Sequence, residues 1–226
     1  MKRLLAEFLG TFMVVSAVCG IGALAPSGAG PWGVTLGAGF SVFAMMSALG
    51  HISGGHFNPA LTIGLSAAGR HPLDSVPGYL FAQIVGAVAA GFVWFVIASA
   101  HTGAGPADLG TFGANGYGVA SPGHFAFAAV ALAEALATAL LVIVFAGATS
   151  RHAASIMAPI AVGSGLAALM LLMLPIDNGG LNPARSTASA LLGGPIAIAQ
   201  LWLFWAAPIV GAVVGGLISR IVTPVD

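Results

Sequence analysis

The sequence predicts an all-α membrane protein with six transmembrane helices and two re-entrant half-helices, arranged as an inverted repeat. Three observations carry that prediction. The 226-residue chain is 58% hydrophobic and only 5% charged, with a mean hydropathy of +1.03, whereas a soluble domain carries roughly 25% charged residues. Six apolar runs are long enough to cross a bilayer. A polar, glycine-rich interruption occurs twice, as "GHISGGHFNPALT" at 50–62 and "DNGGLNPARST" at 177–187.

A membrane helix needs about 20 mainly apolar residues, and the segments 4–24, 33–50, 78–100, 125–147, 156–174 and 198–220 qualify. The first follows Lys2 and Arg3 and resembles a signal peptide, but Pro26 would follow the cut and the segment has a twin in the fourth span. It is therefore read as a span. Gly- and Pro-rich stretches at 25–32 and 102–123 punctuate the spans as loops. Gly86 with Ala90, and Gly211 with Gly215, give small-residue faces on which membrane helices pack closely. Net charge is zero, so no nucleic-acid partner is expected; the partner implied is the lipid bilayer. The single cysteine, Cys19, excludes an internal disulfide and reads as a small packing residue.

Charge sets the expected orientation. With six spans, Lys2, Arg3, Arg70, Arg151 and Arg220 all fall on one side, which places both termini in the cytoplasm of a bacterial-type inner membrane. Arg185 falls on the other side, directly after the second interruption.

The halves repeat. Ala6-Glu7-Phe8-Leu9-Gly10-Thr11 recurs 127 residues on as Ala133-Glu134-Ala135-Leu136-Ala137-Thr138. Phe57-Asn58-Pro59-Ala60-Leu61-Thr62 recurs 124 residues on as Leu181-Asn182-Pro183-Ala184-Arg185-Ser186. One channel domain over 1–226 is expected, with halves at 1–100 and 124–226 joined by 101–123. Three spans per half is an odd number, so the second half enters the membrane inverted, and such repeats place functional sites at the midplane. After each interruption only about ten residues suit a helix, Ala60 to Gly69 and Ala184 to Leu192. Ten residues rise about 15 Å, half the ~30 Å hydrocarbon thickness. Asn58 and Asn182 suit the N-cap, and Pro59 and Pro183 the first helical position. Gly54, Gly55, His56 and Phe57 lead into one half-helix, and Asn178, Gly179, Gly180 and Leu181 into the other. Irregular backbone at that depth survives only where it is buried in protein or lines a water-filled cavity. The interruptions are therefore read as pore walls.

The paired Asn-Pro-Ala motifs, the Ala-Glu-x-x-x-Thr starts of both halves and "GHISGGHFNPA" make the chain resemble the aquaporins, or major intrinsic proteins, over nearly its whole length. The resemblance implies homotetramers with one pore per subunit and passive passage of water or small neutral solutes, with no cofactor and no catalysis. It also implies that Asn58 and Asn182 face the pore centre and that Glu7 and Glu134 accept hydrogen bonds from the interrupted loops. Arg185 would line an outer constriction. Aligned on the motifs, the remaining constriction positions fall on Ala38, Met170 and Gly179, where water-selective members carry an aromatic ring and a histidine. This small, apolar set is similar to that of the nodulin-like channels and their bacterial relatives, which pass metalloid hydroxides such as arsenite. Glycerol and urea would then pass too. Against it, Ser186 stands where glycerol channels carry aspartate, and Phe204-Trp205 match the water branch. Met170, long and flexible, would alternatively fold into the space left by Ala38 and keep the pore water-sized.

Other classes fit less well. A coupled transporter also uses inverted repeats, but Glu7 and Glu134 are the only midplane carboxylates on offer, and their symmetric placement suits bracing. His51 and His56 lack the further ligands a zinc site needs, and no Ser/His/Asp set suggests a hydrolase.

Overall fold

The computed structural model describes residues 1–24, 30–100 and 112–223, so 25–29 and 101–111 of the expected loops lie outside it. The first span consists of α1 (Lys2–Val15), one π turn over Ser16–Gly20, and α2 (Ile21–Leu24). The second is α3 (Gly30–Ser53). The half-helix α4 (Pro59–Ala67) and a short turn at Leu73–Ser75 lead to the third span, α5 (Val76–Ser99). In the second half come α6 (Phe127–Ala148), α7 (Ala158–Asp177) and the half-helix α8 (Pro183–Gly193). The sixth span joins α9 (Pro195–Gln200) to α10 (Leu203–Val222). Six helical segments of the described residues are long and apolar enough to cross a membrane.

Most span boundaries lie close to those read from the sequence, though α3 and α7 each end three residues later, at Ser53 and Asp177 rather than at 50 and 174. Helix α3 runs three residues past the apolar pattern, through His51-Ile52-Ser53, and stops where Gly54 turns left-handed at φ 96°. Ser53 stays helical because its hydroxyl is drawn inward to Glu7. The π turn in the first span had no signature in hydrophobic periodicity.

Small residues draw the helices together. A Cβ on Gly39 would lie 2.6 Å from the Gly163 carbonyl, and one on Gly163 would lie 2.5 Å from the Gly39 carbonyl, so α3 and α7 meet backbone to backbone. Gly86 of α5 sits against the Phe8 carbonyl of α1, and Gly211 of α10 against the Ala135 carbonyl of α6. Gly86 and Gly211 lie on the faces marked by the sequence, whereas the Gly39–Gly163 contact was not; each pair of positions is related by the repeat.

The half-helices hold 9 and 11 residues, roughly 14 and 17 Å at 1.5 Å per residue. End to end they match the ~30 Å hydrocarbon layer. Large apolar side chains such as Phe40, Phe92 and Leu132 are exposed on the outside, while Glu7, Gln83, Glu134, Asp177 and Arg185 are buried inside. That inversion of the soluble pattern positions a polar site within an apolar shell.

Candidate functional site

The two half-helices meet at their N-termini. Asn58 accepts from the backbone N–H groups of Ala60 and Leu61 at 2.9 and 3.4 Å through its side-chain oxygen. Asn182 does the same for Ala184 and Arg185 at 3.0 and 3.3 Å. The side-chain nitrogens cross over: Asn58 Nδ2 donates to the Leu181 carbonyl at 2.8 Å, and Asn182 Nδ2 to the Phe57 carbonyl at 3.0 Å. Each amide group carries two N–H bonds, and one of them ties the halves together. Phe57 and Leu181, which supply those carbonyls, are both left-handed at φ 52° and 58°. Non-glycine residues take that conformation at a cost, and here it recurs at equivalent points of the repeat.

Buried carboxylates hold the loops from behind. Glu7 receives four donors: Ser53 Oγ at 2.6 Å and His56 N at 3.0 Å on Oε1, with Phe57 N and Gln83 Nε2, each at 2.7 Å, on Oε2. Glu134 receives Leu181 N at 2.9 Å on Oε2, while its Oε1 and the Oδ2 of buried Asp177 have no hydrogen-bond partner. Arg185, 2% exposed, donates from Nη1 to Asn115 Oδ1 at 2.7 Å and Ser189 Oγ at 3.2 Å, and from Nη2 to the Asn178 carbonyl at 2.9 Å.

Between these elements lies a narrow cavity. Val14, Val18, Val42, Leu61, Leu141, Val162, Leu166 and Met170 give it an apolar wall. Gly55, His56, Phe57, Gly179 and Gly180, with Asn58, Asn182 and Arg185, form the polar remainder. The structure thus brings Met170, Gly179 and Arg185 together. Ala38 is fully buried in the apolar cluster that contains Val42 and Met170, but Val42, one turn further along α3, is the residue that lines the cavity. His56 lines it and bonds Thr62 Oγ1 through Nδ1 at 3.1 Å, whereas His51 is exposed on α3. No group of three His, Cys, Asp or Glu side chains that could hold a metal occurs among the described residues.

A match to the family model described as "Major intrinsic protein" covers residues 1–219. The chain belongs to that family. It is therefore a passive channel and not an enzyme. It is 44% identical over 228 residues to Aquaporin Z of Rhodopseudomonas palustris, covering 99% of this chain and 94% of that one. It is 45% identical over 224 residues to Aquaporin Z of Brucella melitensis, covering 97% of each. The fold is also similar to the X-ray structure of the aquaglyceroporin from Plasmodium falciparum, with TM-score 0.84 and 22% identity over 99% of this chain and 97% of that one.

Several residues of this major intrinsic protein escaped sequence reasoning. Ser53, Gln83 and Asp177 complete the braces, and counting through the repeat would have flagged Asp177, because it stands 124 residues after Ser53. Asn115 left no signal, since its role depends on where the connection before α6 folds. Cys19 packs as expected, but in a cluster with Ala184 and Ala188 of α8 and within electrostatic reach of Arg185.

Proposed function

We propose that the channel conducts water together with small uncharged solutes such as glycerol, urea or neutral metalloid hydroxides. The observation that carries this is the pair of half-helix N-termini joined by the crossed Asn58 and Asn182 bonds in a cavity with an otherwise mostly apolar wall. A helix N-terminus carries about +0.5 elementary charge, so the two together present about +1 at the midpoint. That field and the Arg185 guanidinium repel cations, while the second amide N–H of each asparagine donates to a passing hydroxyl. Neutral molecules pass; ions do not.

In this reading Met170, Gly179 and Arg185 form the outer constriction, with Ala38 leaving room behind them. Asn58-Pro59-Ala60 and Asn182-Pro183-Ala184 form the waist. The backbone of Gly54 to Phe57 and of Asn178 to Leu181 supplies acceptors along the path, and Glu7 and Glu134 brace it. The halves 1–100 and 124–226 act as one domain. Both termini are assigned to the cytoplasm of a bacterial inner membrane, supported by the shared side of the five basic residues. Arg70 also donates to the Ala146 and Thr149 carbonyls, tying two connections of that side together. A homotetramer is the proposed assembly, supported by the family alone.

A second reading is strict water selectivity. A Cβ on Gly179 would lie 2.9 Å from Met170 Cε, so the methionine tip already occupies the room that glycine leaves. Water-sized molecules can place their centres in about 30 Å³ of the cavity, above the roughly 10–15 Å³ one water needs. Stopped-flow light scattering on proteoliposomes decides between the readings. Passage of glycerol, urea or arsenite alongside water supports the first. Water flux with all three excluded establishes the second, and flux driven by a proton gradient would overturn both.

A further inference from the structure

We propose that Asp177 is a positioning residue of the outer constriction: its carboxyl shares one proton with that of Glu134, and the shared bond fixes the segment that carries Gly179 and Arg185. Both side chains are completely buried and close on the same three residues: Gly179 N donates to Asp177, Leu181 N to Glu134, and a Cβ on Gly180 would lie 2.2 Å from Glu134 Oε1. An ionised carboxylate only accepts, so a bond between two carboxyls requires a proton on one of them. The remaining oxygens are accounted for. Asp177 Oδ1 accepts from Gly179 N at 2.9 Å and Glu134 Oε2 from Leu181 N at 2.9 Å. Glu134 Oε1 and Asp177 Oδ2 are buried with no hydrogen-bond partner. The proton belongs between those two.

The first half of the repeat shows what this position does. Ser53, 124 residues before Asp177, donates from Oγ to Glu7 Oε1 at 2.6 Å and accepts from Gly55 N at 3.2 Å. Asp177 performs both tasks with two oxygens, accepting from Gly179 and bonding Glu134. A hydroxyl keeps its proton at any physiological pH; a carboxyl must be made to. Arg185 of α8 is the charged group facing both acids, and Cys19 of the first span faces Arg185 in turn. With one proton the pair carries one negative charge against one positive charge. Without it, two like charges meet in a buried site, where their repulsion is weakly screened. The consequence would reach the constriction directly. The Asp177 carbonyl accepts from Asn115 Nδ2 at 2.9 Å, and Asn115 Oδ1 accepts from Arg185 Nη1 at 2.7 Å and from Ser186 Oγ at 2.8 Å.

The positioning role rests on the proposed function of Gly179 and Arg185, whereas the shared proton does not. Infrared difference spectra of reconstituted protein test the proton. The wild type at neutral pH should show a protonated-carboxyl C=O band that is lost in Asp177→Asn, Asp177→Thr and Glu134→Gln, because an amide or hydroxyl donor leaves the remaining acid ionised. Water permeability per channel tests the role. The wild type should fall severalfold as pH rises into the alkaline range, while Asp177→Asn and Asp177→Thr, with permanent donors, should stay flat. No band in the wild type, or a band that survives Asp177→Asn, overturns the shared proton. A band that behaves as expected with one pH profile for all variants overturns the positioning role and leaves the proton standing.

Discussion

The loop before α4 and the loop before α8 have nearly the same backbone and different chemistry. Gly55 and Gly179 are left-handed at φ 73° and 71°, and Phe57 and Leu181 at 52° and 58°. A Cβ on either glycine would strike a methionine, Met46 Cγ at 2.7 Å in one half and Met170 Cε at 2.9 Å in the other. Those methionines are themselves 124 residues apart. The side chains hung on this shared frame then diverge: Ser53 corresponds to Asp177, His56 to Gly180, Leu61 to Arg185, and Gln83 to Pro208. The first loop is braced by a carboxylate with four neutral donors. The second leans on an acid pair and a buried arginine. The repeat supplies the scaffold, and a few departures from symmetry give the two loops different chemistry.

The largest way to break that asymmetry is Arg185→Leu, which gives the second loop the residue of the first. A unit charge at ~6 Å acts with roughly 3 kcal/mol at an effective dielectric constant of ~20, or about a hundredfold in rate. Proton or cation leak through proteoliposomes should rise by about that order, and neutral solutes should pass at least as fast. Leak unchanged from the wild type would show that the half-helix ends alone exclude ions.

The braces come next. Glu7→Ala leaves the buried N–H groups of His56 and Phe57 without an acceptor and strands Ser53 and Gln83. With about 1–3 kcal/mol for each unsatisfied group, the loss should be on the order of 4 kcal/mol or more. Glu134→Ala strands Leu181 N, while Asp177 can keep a proton of its own, so about 1–3 kcal/mol is expected. Thermal unfolding in detergent should therefore rank Glu7→Ala well below Glu134→Ala. Equal losses would mean that the two braces are not as different as their donors indicate.

A control should erase the difference between the halves. Gly86→Ala would push a methyl to 2.4 Å from the Phe8 carbonyl, and Gly211→Ala to 2.0 Å from the Ala135 carbonyl. Both contacts are with backbone, which cannot turn aside, and overpacking of this kind costs about 1–3 kcal/mol. Similar drops in melting temperature are expected for the two variants, since here the repeat is conserved in geometry and in chemistry.

Much of this was legible in the sequence because it is local. Asn58-Pro59 and Asn182-Pro183 announce capped half-helices, and Glu7 and Glu134 stand out as charges inside apolar spans. What stayed hidden depends on where distant segments come to rest. Asn115 reaches Arg185 only because the connection before α6 folds back over α8, and no periodicity encodes that path. Motif counting placed Ala38 at the constriction; Val42, one turn further along α3, lines the cavity, and Ala38 is buried in the same apolar cluster as Val42 and Met170. Residues four apart share a helix face, so motif spacing picks the face of α3 but not which turn along it meets the cavity.

The smallest expected effect concerns a feature the first half has alone, the ring cluster beneath His56. The His71 ring lies 4.8 Å from that of His56 and 4.5 Å from that of Tyr79; the second half has Gly180 at the corresponding place. Partial burial, and then the charge of Arg3, hold His71 below the ordinary histidine range, with Asp74 opposing them. The folded protein thus favours neutral His71. Its stability contribution is present above the unfolded value of about 6.5 and is lost as pH falls through the lower folded value. His71 is only half-buried, so solvent screens much of the effect. Melting temperature should decline slightly for the wild type between about pH 7 and pH 5.5 and should hold steady in His71→Phe, which keeps a ring and removes the charge. A decline of the same size in both proteins would assign the acid sensitivity elsewhere and leave the ring cluster a packing feature.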